Sequence, residues 1–165
     1  MPQDHTFDIV SKVNWQELRN AIQQAQRELQ TRFDFQRTSA SVLLEEEPPL
    51  LKLTADHEGQ LTSVRDVVET KLAKRGVSLK VFAWQAAEQL PSGGTKQQAT
   101  LQEGIPSEKA KAIVAAIKRM GRKVQARIDG EAVRVAAKQI DELQEVMQGL
   151  KGQEFGLPLQ MENYR

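Results

Sequence analysis

The 165-residue chain contains no cysteine, only two histidines and eight aromatic side chains, Phe7, Trp15, Phe33, Phe35, Phe82, Trp84, Phe155 and Tyr164. Without thiols there is no disulfide framework, thiolate metal site or cysteine nucleophile. His5 and His57 stand far apart, neither at a metal-ligand spacing nor beside a serine and aspartate placed for a triad, so no metal, cofactor or catalytic residue is expected and both rings should lie in solvent. An excess of one charge is missing too: 23 basic side chains oppose 22 acidic ones, a net of +1, so no whole-molecule field draws the protein to nucleic acid or to an anionic membrane. No stretch approaches 18 consecutive apolar residues, and the opening MPQDHTFDIV is polar and acidic where a signal peptide would be basic and then apolar. The expectation is a cytoplasmic, non-enzymatic protein with no membrane partner.

A hydrophobic fraction of 39% with 27% charged residues is that of a folded chain, and the length suits one large domain or two small ones. Phe7, Ile9, Ser11 and Val13 alternate with polar neighbours as a strand does. Asn14 is placed to cap a helix over 15–31, with Trp15, Leu18, Ile22, Ala25 and Leu29 as its apolar stripe. The segments 40–46 and 50–54 flank Glu47-Pro48-Pro49 as a hairpin, and Leu61, Val64, Val67, Val68 and Leu72 form a second stripe ended by Gly76. Val77–Phe82 alternates as a further strand. The punctuation Pro91-Ser92-Gly93-Gly94 marks a joint between halves, 1–90 and 91–165.

The second half repeats the order. Lys96–Gln102 is a polar strand, and Pro106-Ser107 opens a helix with Ala110, Ile113, Val114 and Ile117, closed by Gly121. Strands at 124–129 and 133–135 turn at Asp129-Gly130, Asp141 caps a fourth helix ended by Gly152, and Pro158–Tyr164 is the last strand. Each half then reads βαββαβ. The expected fold is α+β: a tandem duplication of ferredoxin-like units, each a four-stranded antiparallel sheet with two helices on one face. That scaffold hosts many unrelated functions, so the sites must decide.

Charge is uneven within the near-neutral total. From Lys109 to Lys138 there are nine basic residues (Lys109, Lys111, Lys118, Arg119, Arg122, Lys123, Arg127, Arg134 and Lys138) against Asp129 and Glu131. Arg127 and Arg134 lie on opposite arms of the hairpin, out of phase with its apolar residues, and so project from the open sheet face. A guanidinium pairs two phosphate oxygens at once or stacks on a base, so two on one surface suit a nucleotide; an ordinary solvated surface carries the same charges. The strands 96–102 and 123–129 lack the aromatics on which RNA-recognition modules stack bases. Phe33 and Phe35 bracket Asp34 beside Arg32, so rings pointing one way would leave Arg32 and Asp34 as an ion pair on the other, structural or base-reading. Trp84 could stack on a base or plug the joint. The Gly93-Gly94 loop lacks phosphate-loop spacing, and Glu45-Glu46-Glu47 alternates in direction along a strand and forms a solvated edge rather than a cation site.

The residues Phe7-Asp8-Ile9-Val10-Ser11, Arg32-Phe33-Asp34-Phe35, Lys74-Arg75-Gly76, Ser92-Gly93-Gly94, Gly104-Ile105, Lys123-Val124-Gln125-Ala126-Arg127-Ile128 and Asn163-Tyr164-Arg165, spread over the whole chain, together resemble the YajQ family of bacterial nucleotide-binding proteins. The resemblance implies two ferredoxin-like domains that exchange their first strands, no known catalysis, and in some members binding of cyclic di-GMP and action with transcription factors. On that pattern the strand at 7–13 completes the second domain and the strand at 96–102 the first. The chain departs from the family at Gln102, Gln139 and Ile140, where basic residues are usual.

The resulting expectation is a nucleotide or cyclic-dinucleotide ligand met by Lys96, Lys123, Arg127, Arg134 and Lys138, with Arg32 and Trp84 as further candidates. A sequence-tolerant RNA binder and a protein-interaction adaptor are the alternatives.

Overall fold

A computed structural model describes residues 4–121 and 123–165. Arg122, counted above in the basic stretch, lies outside the described residues. The order is β1 (His5–Val10), α1 (Trp15–Thr31), β2 (Ser41–Glu46), β3 (Pro49–Ala55), α2 (Glu58–Lys74), β4 (Phe82–Trp84), β5 (Glu88–Gln89), β6 (Thr95–Leu101), α3 (Ser107–Met120), β7 (Val124–Asp129), β8 (Ala132–Ala137), α4 (Ile140–Lys151) and β9 (Gln160–Glu162). These build an α+β structure with two antiparallel sheets. One has the strand order β7-β8-β1-β9; in the other, β2-β3-β6-β4, the short β5 also pairs with β6.

Two compact units result. One comprises the chain up to Lys12 together with Glu103–Arg165, the other Val13–Gln102. In the Val13–Gln102 unit the stripe of α1, Leu18, Ala21, Ile22, Ala25 and Leu29, and that of α2, Leu61, Val64, Val68 and Leu72, pack with Val42, Leu51, Leu53 and Ala99 of the sheet. In the other unit Ile113 and Ile117 of α3 and Leu143, Val146 and Leu150 of α4 bury against Phe7, Ile9, Val133 and Val135. Side chains alternate across a strand, so burying Phe7, Ile9, Val133 and Val135 on one face of that sheet turns Asp8, Arg127 and Arg134 to the other.

Local signals explain most boundaries. The Asn14 side chain accepts from Glu17 N at 3.2 Å and starts α1 one residue later, and Gly76 takes the positive φ of 75° that ends α2. His57 is not simply a solvent ring: its Nδ1 accepts from Gln60 N at 3.1 Å as the cap of α2, while Gln60 Oε1 accepts from Asp56 N at 2.8 Å. This is a variant of the capping box, with two otherwise orphan donors satisfied reciprocally. His57→Ala should cost about 1 kcal/mol in a urea melt, and His57→Asn, which restores an acceptor, should cost less.

Several expectations from the sequence are corrected. The Pro91–Gly94 segment is not a joint but a turn within the Val13–Gln102 unit: Leu90 N donates to Gly94 O at 2.7 Å, and the segment folds β5 back onto β6. Of the strand expected over Val77–Phe82 only Phe82 is extended, as the first residue of β4, because Ser78 Oγ accepts from Lys80 N and 79–81 coils into a 3-10 turn. Asp141 sits in the first turn of α4, whose cap position is Gln139 without a side-chain bond. Phe33 and Phe35 do not point the same way, since a 3-10 turn rotates each residue by about 120°. Phe35 is buried and Phe33 is 90% exposed.

A candidate anion site on an open sheet face

The face of the β7-β8-β1-β9 sheet that the helices leave uncovered carries one polar row. Arg127 of β7 pairs in register with Arg134 of β8, Arg134 with Asp8 of β1, and Asp8 with Glu162 of β9. The order cation, cation, anion, anion across four strands is a product of register, since a one-residue slip of any strand would send its member to the core face.

The two arginines are not equivalent. Arg134 Nε donates to Asp8 Oδ1 at 3.0 Å and its Nη2 lies 3.5 Å from Asp129 Oδ2. Asp8 is itself held, accepting from Asn163 Nδ2 at 3.0 Å. Asn163 adopts a left-handed φ of 58°, after which Arg165 and Thr6 exchange two backbone hydrogen bonds of 3.2 and 3.0 Å, so the last residues close onto β1. The Arg134 guanidinium, more than any other cause, holds the Asp8 carboxyl below its usual range despite the opposing effect of burial; Asn163 lowers it further. In turn Asp8 raises the pKa of Arg134. Glu162 is taken by Lys12 at 2.6 Å. Arg127 is exposed and, among the described residues, has no ion-pair partner.

Beside Arg127 the surface sinks into a depression of about 540 Å³ lined by residues that include Thr6, Lys118, Gln125, Arg127, Arg134 and Ala136. Ala136 lies in register between Gln125 and Thr6, and its small side chain leaves a shallow floor between two hydrogen-bonding side chains. Lys118 reaches the depression from α3. Its place was concealed in sequence within the general basic stretch. Asp8 and Asn163 were missed because the partner of each, Arg134 for Asp8 and Asp8 for Asn163, is distant in the chain.

Of the residues expected from sequence, Lys123, Arg127, Arg134 and Lys138 fall in this unit. Lys123 and Lys138 are exposed just beyond the Val124–Ala137 pair that ends the hairpin ladder. Arg32, Trp84 and Lys96 belong to the Val13–Gln102 unit, each with a local partner. Arg32 pairs with Asp34 at 2.7 Å and lies over the Phe35 ring at 4.8 Å, Trp84 carries the Arg65 guanidinium at 4.2 Å, and Lys96 lies 3.6 Å from Glu88. In the acidic run, Glu45 pairs with Lys52 and Glu46 with Arg19. Among the described residues no cluster of His, Cys, Asp or Glu could hold a metal ion, and no helix is long and apolar enough to cross a membrane.

The family model described as nucleotide-binding protein YajQ-like matches residues 5–165. The chain belongs to the YajQ-like family. Bacterial relatives named nucleotide-binding protein include one from Koribacter versatilis, 44% identical over 162 residues covering 98% of each chain. Others come from Roseiflexus castenholzii and Carboxydothermus hydrogenoformans, each 44% identical over the full length of both chains. In this YajQ-like chain, the nucleotide-binding name of its relatives coincides with a sheet face bearing one unpaired and one anchored guanidinium.

Proposed function

We propose that this protein is a non-enzymatic, cytoplasmic nucleotide-binding protein whose ligand is a cyclic dinucleotide, cyclic di-GMP first among them. Arg127 and Lys118 contact phosphate, Arg134 stands behind them as an oriented donor, and Lys123 and Lys138 line the outer rim. The unpaired state of Arg127 beside Arg134 is the observation that carries this reading: a guanidinium without an internal partner keeps its donors for a ligand. The pairing of β1 with β8 and β9, and of β6 with β3 and β4, supports the companion reading that two ferredoxin-like units exchange their first strands. The ligand-bound protein would act through a partner such as a transcription factor. Arg32, Trp84 and Lys96, each already engaged by a neighbour, have no part in this site.

Calorimetry with cyclic di-GMP should show saturable binding, and Arg127→Ala should weaken it about tenfold to a hundredfold, the loss of a charge-assisted hydrogen bond worth about 1.5–3 kcal/mol. Binding unaffected by that substitution would move the ligand elsewhere. An RNA backbone is the second reading, favoured by exposed Lys123 and Lys138 at the hairpin end. It requires affinity that falls steeply with salt, and a flat response over a tenfold range of salt excludes it.

A further inference from the structure

In the Val13–Gln102 unit β2 pairs with β3 on one side and, among the described residues, has no strand on the other. The opposite edge of that sheet is the three-residue β4, whereas β2 runs for six residues and presents a longer row of backbone donors and acceptors. Such edges are commonly blunted by lysine or proline within the strand, and Ser41-Val42-Leu43-Leu44-Glu45-Glu46 has neither. Its carboxylates are balanced, Glu45 by Lys52 and Glu46 by Arg19, and its middle carries Leu43, 51% exposed. Gln26 of α1 donates to the Val42 carbonyl at 3.0 Å, but a carbonyl oxygen has a second lone pair to offer. The two ends of β2 carry opposite charges that the fold does not use. Arg37, at a left-handed φ of 61°, lines a depression of about 750 Å³ between α1 and the start of β2, and Glu47 leads the turn at the far end. Both are exposed and, among the described residues, neither has an ion-pair partner.

An edge with a cation before its first residue and an anion after its last is complementary to itself when run antiparallel. From this we infer that β2 is an interaction surface for a second copy of the chain, the two β2 strands pairing about a two-fold axis at Leu43. In that register Leu43 meets its own copy, Val42 meets Leu44, and Ser41 meets Glu45. Val42 is buried and Leu44 packs on the core, so apolar side chains face apolar ones on the helix side, while the Ser41 hydroxyl can donate to a carboxylate. An axis at Leu44 would set Leu43 against Glu45, one at Val42 would set it against Ser41, and one between residues would send the helices of the two copies to opposite faces of the joined sheet. The Leu43 axis also brings the Glu47-Pro48 turn of each copy opposite Ser39, where Glu47 is a diagonal neighbour of Arg37. Asp56, directly after β3, already accepts from Ser39 N and Oγ. The contact is small and mostly main-chain, so the dimer is weak, with a dissociation constant of about 10–100 µM.

Sedimentation equilibrium of the full chain should show a monomer–dimer equilibrium in that range, and Leu43→Lys, a change at an exposed position, should weaken it at least about tenfold. Arg37→Glu and Glu47→Arg should each weaken it about tenfold, because an exposed pair is worth a few-fold and two-fold symmetry counts every substitution twice. An equimolar mixture of these two variants should recover the dimer, since each supplies the charge the other lacks. The chain has no cysteine, so Leu43→Cys places one thiol per copy on the axis, where directly opposed Cβ atoms lie about 4.5–5.5 Å apart. Mild oxidation at about 100 µM should convert that variant to a disulfide-linked dimer, while Leu79→Cys, at a position 42% exposed elsewhere in the same unit, should stay monomeric. A dimer that Leu43→Lys leaves intact, or a mixture no tighter than either charge variant alone, overturns the inference. So does a native protein that is monomeric up to about 1 mM, which would leave the edge to a strand from a different protein.

Discussion

Phe7→Ala should destabilise the unit that holds the C-terminal two-fifths of the chain by about 3–5 kcal/mol, the range for emptying a fully buried phenyl site. Phe7 is 0% exposed, pairs in register with Val135 and stacks near Tyr164 at a ring separation of 6.0 Å. Such a loss is a large part of the 5–15 kcal/mol that domains commonly have. Its location is the informative part. Native-state hydrogen exchange should show faster exchange at 133–137 of β8 and in α4, while 51–55 of β3 stays protected, although β3 is much nearer to Phe7 in the chain. Equal loss of protection in both sheets, or loss confined to β3, would contradict the placement of β1 between β8 and β9.

Arg134→Ala is the second large effect. Removing the guanidinium strands the Asp8 carboxylate, whose side chain is 11% exposed, with Asn163 as its remaining hydrogen-bond partner. Breaking a buried pair from one side costs about 3–5 kcal/mol, and because the Arg134 side chain is itself 34% exposed the expected loss is nearer about 2 kcal/mol. The pH dependence separates this cause from lost packing. The folded-state pKa of Asp8 lies below its ordinary value of 3.8, so its contribution is fully present above that value and disappears as pH falls through the depressed folded value. In the variant Asp8 should titrate at higher pH than in the native protein, and the stability gap between the two should narrow as the solution is acidified below pH about 4. A gap constant down to pH about 2 would mean that Arg134 contributes by packing alone.

Much of this was readable along the chain. The stripe from Leu18 to Leu29 behind Asn14 specifies α1 because helical periodicity and a cap are local properties. The opposite phases of Arg127 and Val133–Val135 put the arginines on the face away from the core because alternation in a strand is also local. Alternation misled at Val77–Phe82, where a serine hydroxyl near the chain offers its own hydrogen bond and a 3-10 turn wins. Punctuation misled at Pro91–Gly94, since glycine and proline mark a turn equally whether it joins two domains or two arms of a hairpin.

By itself the sequence determined the helices, most strands, the absence of thiol chemistry and the local basic excess hidden in a net charge of +1. Only the tertiary structure decided which strands flank β1 in the unit to which the resemblance assigned it, that Asp8 meets Arg134 across 126 positions of chain, and that Arg127 is left without an ion-pair partner among the described residues. The reason is that burial pattern and capping act over a few residues, whereas strand partners and the sharing of charge among them depend on which distant surfaces the folded core brings side by side.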